Sequence, residues 1–310
     1  MAETPNDADS PVTSAREKRQ ALIAEYQRRA RRLWGIAALL FVLTFVSMWW
    51  LQGLVYAAAT ITILLAHELG HFLQAVRYRV PASPPMFIPM PFLSPFGTLG
   101  AVIAQAGGVA NRKALFDIAI SGPLAGLVLA LPIAWIGLQE AQIVVPEPSL
   151  HSLIYGDPLI LQWMIALAHR PLAPGEEIGL TPLLFAGWVG IFITALNLIP
   201  IGQLDGGHIL YTLIGKRAHA VANVLIATAV GWMIYTQDLA YLLMLLLIWK
   251  MGAKHPPSAD DSVPLGPVRV VLGWLTLAFI IVGFTPRPMF VLEPTAEPEV
   301  SPKTSDVRPN

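Results

Sequence analysis

With 310 residues, 55% of them apolar and 13% charged, a mean hydropathy of +0.59 and no cysteine, the chain is neither disordered nor a disulfide scaffold, and it lies far outside ordinary soluble domains. Lys plus Arg and Asp plus Glu number 20 each, so there is no basic excess to hold nucleic acid, which is not an expected partner. Without cysteine, any metal site must be built from His nitrogen and carboxylate oxygen.

In chain order, residues 1–32 are polar, include Asp and Glu, and lack an early apolar core followed by a small-residue cleavage site, so they do not read as a cleavable signal peptide. They form a basic cytoplasmic segment, a solvated anchor; a helix lying on anionic lipid over 14–32 is the alternative. A membrane crossing needs about 20 mainly apolar residues, and the pattern predicts spans near 33–52, 54–76, 114–138, 183–203, 217–236, 239–252 and 267–285, the sixth being short. Residues 286–310, rich in Pro and Glu, read as a disordered tail. The expected fold is an all-α polytopic membrane protein with about six to seven transmembrane helices, its membrane domain spanning 33–285. The 44 residues of 139–182 are too few for a separate domain of typical size.

Positively charged loops stay in the cytoplasm. With the N-terminus inside, 16 of the 20 Lys and Arg fall on the cytoplasmic side, while Glu140, Glu147, Asp157, Glu176, Glu177 and Asp238 fall on the other. The expected setting is a multi-pass chain in a bacterial inner membrane, with its N-terminus cytoplasmic and the lipid bilayer as its surroundings; the acidic N-terminus fits a transit peptide poorly.

Residues 80–110 break the helical pattern. Six prolines between Pro81 and Pro95 forbid a continuous helix, yet Met86, Phe87, Ile88, Met90, Phe92, Leu93 and Phe96 make the segment too apolar for a solvated loop. It is predicted to re-enter the membrane and to be partly β. Residues 96–105 have the composition of an edge strand able to hold an extended peptide through main-chain hydrogen bonds.

Ionisable groups within spans are costly and mark function or internal ion pairs. The second span carries His67, Glu68 and His71. Four residues along a helix change azimuth by about 40° and height by about 6 Å, so both imidazoles reach one metal from the same face, while Glu68 is offset toward the water that the metal activates. This is the working content of His-Glu-x-x-His: two nitrogens hold zinc and one carboxylate takes a proton from water. With 7 His in the chain, random placement produces the pattern in roughly 0.6% of such compositions. A catalytic zinc then lacks one protein ligand. Asp205, in NLIPIGQLDGGH at the cytoplasmic end of the fourth span, matches the depth of the pair, and Pro200, Gly202, Gly206 and Gly207 predict a helix interruption there. Asp117 is accounted for by a local ion pair with Arg112 and Lys113 or by the helix dipole, and His208 by an interhelical hydrogen bond. Asn197 either hydrogen-bonds a substrate carbonyl or joins helices.

HELGH at 67–71, SGPLAG at 121–126 and NLIPIGQLDGG at 197–207, in that order, resemble the site-2 protease family of intramembrane zinc metalloproteases, peptidase family M50. The likeness covers about residues 55–215, and the FDIAISGPLAG run is similar to the subgroup that includes chloroplast members. No segment outside the spans is long enough for the PDZ or CBS domains of many relatives. The resemblance implies one Zn²⁺ per chain held by His67, His71 and Asp205, Glu68 as catalytic base, and Asn197 as a residue that orients substrate or stabilises the oxyanion. It further implies hydrolysis of a peptide bond within or beside a transmembrane segment of a membrane-protein substrate. A transporter or ion pathway using the same His and Asp cluster is the alternative.

Overall fold

The computed structural model describes residues 11–145, 153–237, 242–252, 255–286 and 288–291. Helix α1 (Pro11–Gln52) runs without a break through the boundary expected at residue 32, and α2 (Leu54–Arg77) follows after the positive-φ turn at Gly53. Strands β1 (Met86–Pro89) and β2 (Thr98–Val102) form an antiparallel hairpin, and α3 (Arg112–Glu140) comes next, N-capped by the Asn111 side chain. The connection to α5 (Pro182–Asn197) holds strand β3 (Ile143–Val144), strand β4 (Leu153–Tyr155), helix α4 (Leu159–Ala168) and strand β5 (Glu177–Ile178). Helices α6 (Asp205–Ile214), α7 (Ala218–Thr236), α8 (Leu242–Met251) and α9 (Pro267–Gly283) and strand β6 (Met289–Val291) complete the described chain.

Among the described residues, four stretches are long and apolar enough to cross a bilayer: Arg32–Gln52, Leu54–Arg77, Arg112–Glu140 and Asp205–Thr236. The last is interrupted at Gly215, whose φ of +64° starts a 3-10 turn between α6 and α7. Helices α4, α5 and α9 are apolar but shorter. Of the span expected at 239–252, residues 242–251 form α8 and residues 238–241 lie outside the described residues. The expectation of a wholly disordered tail is corrected at Met289–Val291, which pair as β6 with Leu153–Tyr155; residues 292–310 lie outside the described residues.

Helices α2, α3 and α5 form the centre. Small residues let their backbones touch: a Cβ on Gly70 would lie 2.5 Å from the Ser121 carbonyl oxygen, and one on Gly187 would lie 2.5 Å from Ala134. Helices α5 and α6 together follow α3 from end to end. Thr181 Oγ1 donates to the Gly137 carbonyl at one end, and at the other Arg112 donates from Nε and Nη2 to the Thr212 and Leu213 carbonyls. The span expected at 183–203 is therefore a broken one. Its first half stops at Asn197, residues 198–204 are irregular, and Asp205 is the first residue of the second half rather than the last turn of the first. Pro200 cannot donate to a helical ladder, and Gly202 takes φ +56°.

The two ends of the bundle differ. Tyr78, Arg112, Asp117, Leu213 and Arg269 meet at one end, which also carries Arg77, Arg79, Lys113, Lys216 and Arg217. The other end is closed by an aromatic cluster: Tyr56, Phe96, Tyr155, Phe185, Trp188 and Phe192 lie in successive ring contacts, and Trp188 Nε1 donates to the Gly156 carbonyl. The β1–β2 hairpin links these ends. Its base, the Ala82–Gln105 bridge, is near α2's last turn, and its tip is fastened to the α1–α2 corner by Ser47 Oγ and Tyr56 Oη, which donate to the Gly97 and Phe96 carbonyls. From Ala82 to Pro91 a strand covers roughly 30 Å, the thickness of a hydrocarbon core. No charged residue occurs between Val80 and Asn111, so no side-chain charge opposes the hairpin lying at membrane depth, where its open edges need cover from protein or a wet cavity.

Candidate metal centre

The sequence-predicted residues converge from three helices. Nε2 of His67 and Nε2 of His71 on α2 are 3.2 Å apart, Asp205 Oδ2 is 3.2 Å from the first, and Asp205 Oδ1 is 3.3 Å from the second. Bonds of about 2.0–2.1 Å to a tetrahedral ion place two ligand atoms about 3.3 Å apart, so this triangle has the size of one face of a zinc site. Among the described residues, His67, His71 and Asp205 are the group able to hold a metal.

Proton placement supports the same fit. His71 Nδ1–H donates to the Ile118 carbonyl at 2.8 Å, which leaves Nε2 of a neutral ring with a bare lone pair. That lone pair faces the Asp205 carboxylate and the Nε2 of His67, an acceptor-rich arrangement that a cation between the three atoms relieves. The two imidazoles and Glu68 are about 95% buried, whereas the Asp205 side chain is 15% exposed and Asn197 is half-buried, so the centre opens on the α5–α6 side.

Local structure explains the positions. Helix α3 crosses α2 with glycines where the rings lie: a Cβ on Gly122 would fall 2.0 Å from His71 Nε2, and one on Gly126 would fall 3.1 Å from His67 Nδ1. The four-residue spacing of these glycines repeats that of the two histidines in reverse order, and this is the signal in SGPLAG that spacing arguments on α2 alone missed. Ser121 Oγ donates to the Gly70 carbonyl at 2.8 Å and fastens the crossing. Beside Asp205, a Cβ on Gly206 would lie 1.8 Å from the Leu198 carbonyl oxygen, so the first turn of α6 packs directly on the chain break. Asp205 is not the N-cap of α6; that position is Leu204, and the carboxylate points to the imidazoles.

Glu68 lies within electrostatic reach of His67, His71 and Asp205. The Asn197 side-chain nitrogen is 3.5 Å from His67 Nε2, at the rim of the centre. Two other expectations are corrected. Asp117 pairs with Arg269 of α9, 2.7 Å from Nε and 3.0 Å from Nη2, and accepts from the Tyr78 hydroxyl, so its main partner is 152 residues away rather than the adjacent Arg112 or Lys113. His208 meets His255 of the α8–α9 connection, not another helix.

The family model described as Peptidase family M50 matches residues 55–236. The chain is 30% identical to the probable chloroplastic zinc metalloprotease EGY1 of Arabidopsis thaliana over 74% of its own length and 42% of the relative's. It is 30% identical to the corresponding EGY2 of the same plant over 76% of its length and 42% of the relative's, and 37% identical to EGY1 of Oryza sativa subsp. japonica over 54% and 29%. The chain thus spans about two fifths of the length of the curated relatives it matches most extensively. No solved structure matches.

Proposed function

This chain belongs to peptidase family M50, and we propose that it is an intramembrane zinc metalloprotease that hydrolyses a peptide bond within or next to a transmembrane segment of a membrane-protein substrate. The observation that carries this reading is the donor triangle of His67, His71 and Asp205 with a buried carboxylate, Glu68, beside it. Zinc held by the three side chains supplies Lewis acidity, which lowers the pKa of water toward about 7 and polarises a carbonyl.

The protein's own groups do the rest. Glu68 accepts a proton from the attacking water as its oxygen bonds to the scissile carbonyl carbon, then delivers that proton to the amide nitrogen as the C–N bond breaks. The Asn197 amide donates to the carbonyl oxygen as negative charge develops there. A helical substrate hides its carbonyls in intrahelical hydrogen bonds and must unwind first. Strand β2 supports that step: its Gly100 lies against Ile193, one turn before Asn197, and among the described residues its strand partner is β1 alone. An extended segment pairing with β2 therefore passes the centre. The aromatic cluster closes the opposite end, so water reaches the site from the arginine-rich end, which in our reading faces the cytoplasm. We place the chain in a bacterial inner membrane with its N-terminus cytoplasmic and six to seven crossings, α5 and α6 sharing one.

The test is cleavage of a membrane-segment substrate by the purified full chain, comparing wild type with Glu68→Gln. We expect cleavage to fall at least about 1000-fold with bound zinc retained; unchanged cleavage ends the assignment of Glu68. Uptake into vesicles without any peptide product would favour the transporter alternative.

A further inference from the structure

The connection between α8 and α9 lies outside the segment matched by the family model, yet it reaches His208, three residues after Asp205. Ala259 N donates to the Ala110 carbonyl and Arg112 N donates to the Asp260 carbonyl, which fixes residues 259–260 against the start of α3. The Asp261 carboxylate accepts from the Tyr211 hydroxyl at 2.8 Å and from Ser258 Oγ at 2.6 Å. His255 is 6% exposed and stacks on the Tyr211 ring with centroids 4.3 Å apart and planes at 15°.

The ring nitrogens of His255 are unequal. Nε2 meets Nδ1 of His208, whereas Nδ1 is buried beside the Pro256 backbone. A single proton lies between these two ring nitrogens, so one ring donates and the other accepts, and each fixes the tautomer of the other. His208 is also hydrogen-bonded to the backbone of Gln203. Gln203 sits in the 198–204 break that has Asn197 at one end and Asp205 at the other. A chain of hydrogen bonds thus runs from His255 through His208 to the loop that spaces two site residues.

We propose that His255 is a positioning residue: by fixing the tautomer and orientation of His208 it holds the 198–204 loop so that Asp205 faces His67 and His71 and Asn197 faces the same centre. The proposal rests on the metalloprotease reading for its catalytic consequence, but its effect on metal binding stands apart from cleavage. Partners of this kind, one shell out from the ligands, typically change metal affinity or activity by about 10- to 100-fold when lost.

Two substitutions separate hydrogen bonding from packing. His255→Phe keeps a ring to stack on Tyr211 and removes the hydrogen-bonding nitrogen, whereas the His255→Gln amide can donate to or accept from His208 Nδ1. The full-length protein would be titrated with Co²⁺ and followed by its visible absorption, with hydrogen exchange over 198–205 read on metal-free material and cleavage measured on the zinc form. The expected result is Co²⁺ affinity at least about 10-fold weaker and faster exchange over 198–205 in His255→Phe, both largely restored in His255→Gln, with kcat falling more than KM rises. Wild-type behaviour of His255→Phe overturns the proposal, as does equal loss in both variants, which assigns His255 to packing. If Glu68→Gln still cleaves while His255→Phe weakens Co²⁺ binding, the catalytic reading fails and the positioning role survives.

Discussion

Alanine at position 122 tests whether the crossing of α3 over α2 makes the metal centre. A Cβ there would sit 2.0 Å from Nε2 of His71 and 2.4 Å from both flanking ring carbons, inside the space the imidazole occupies. Ordinary van der Waals contact begins near 3.4 Å, so the ring must retreat by about 1.4 Å, several times the tolerance of roughly 0.2 Å on a metal–ligand bond. By helix propensity alone, Gly→Ala in a helix interior stabilises by about 0.5–1 kcal/mol, so any loss reports the clash. Zinc affinity of Gly122→Ala, measured by competition with a chromophoric chelator, is expected to fall by more than the roughly 100-fold cost of losing an outer-shell partner, because a ligand itself is displaced. Cleavage should vanish with it. Gly126→Ala is the graded control: its Cβ would lie 3.1 Å from His67 Nδ1, a clash relieved by a few tenths of an ångström, and about a 10-fold loss or less is expected. Wild-type zinc affinity in Gly122→Ala, with circular dichroism showing an intact helical fold, would refute the steric account.

Asn197→Ala should lower kcat by about 100-fold while zinc content stays unchanged, as expected for one lost oxyanion donor; elemental analysis beside kinetics checks both halves. Arg269→Met leaves Asp117 without its bidentate partner in a half-buried site and should cost roughly 1–3 kcal/mol in thermal or denaturant unfolding, with Asp117→Asn suppressing part of the loss. The His255 imidazole is pushed down to about 3 by burial and then by neighbouring His208, with His219 and Asp261 also facing it. The unfolded chain therefore binds its proton first: the contribution of this group is complete above about pH 6.5 and declines as pH falls through the window toward 3. Protection factors over 255–262, with rates normalised to intrinsic exchange at each pH, should fall between pH 6.5 and 5, and the fall should be smaller in His255→Phe.

Much of the site could be read from local spacing. His67, Glu68 and His71 fall within five consecutive positions of one helix, and helical periodicity alone dictates that the two imidazoles share a face. Pro200, Gly202 and the Gly206–Gly207 pair announced a break in the helix beside Asp205, though not that the break separates α5 from α6 with Asp205 as the first residue of α6. The prolines and apolar residues of 80–110 excluded both a helix and a solvated loop, but its antiparallel register and its reach to the α1–α2 corner depend on Ser47, Gln52 and Tyr56 catching the tip, contacts 40 to 50 residues apart in the chain.

Composition and short-range pattern determined by themselves that this is a membrane chain with a His-Glu-x-x-His helix and a carboxylate at compatible depth, because hydrocarbon thickness and the helical repeat act on neighbouring residues. Tertiary structure alone decided which groups complete those residues: Arg269 against Asp117, His255 behind His208, Gly122 and Gly126 under the imidazoles. Each of these pairings joins positions between about 47 and 152 residues apart, and a contact of that kind follows from how helices pack, which no local rule of spacing or propensity contains.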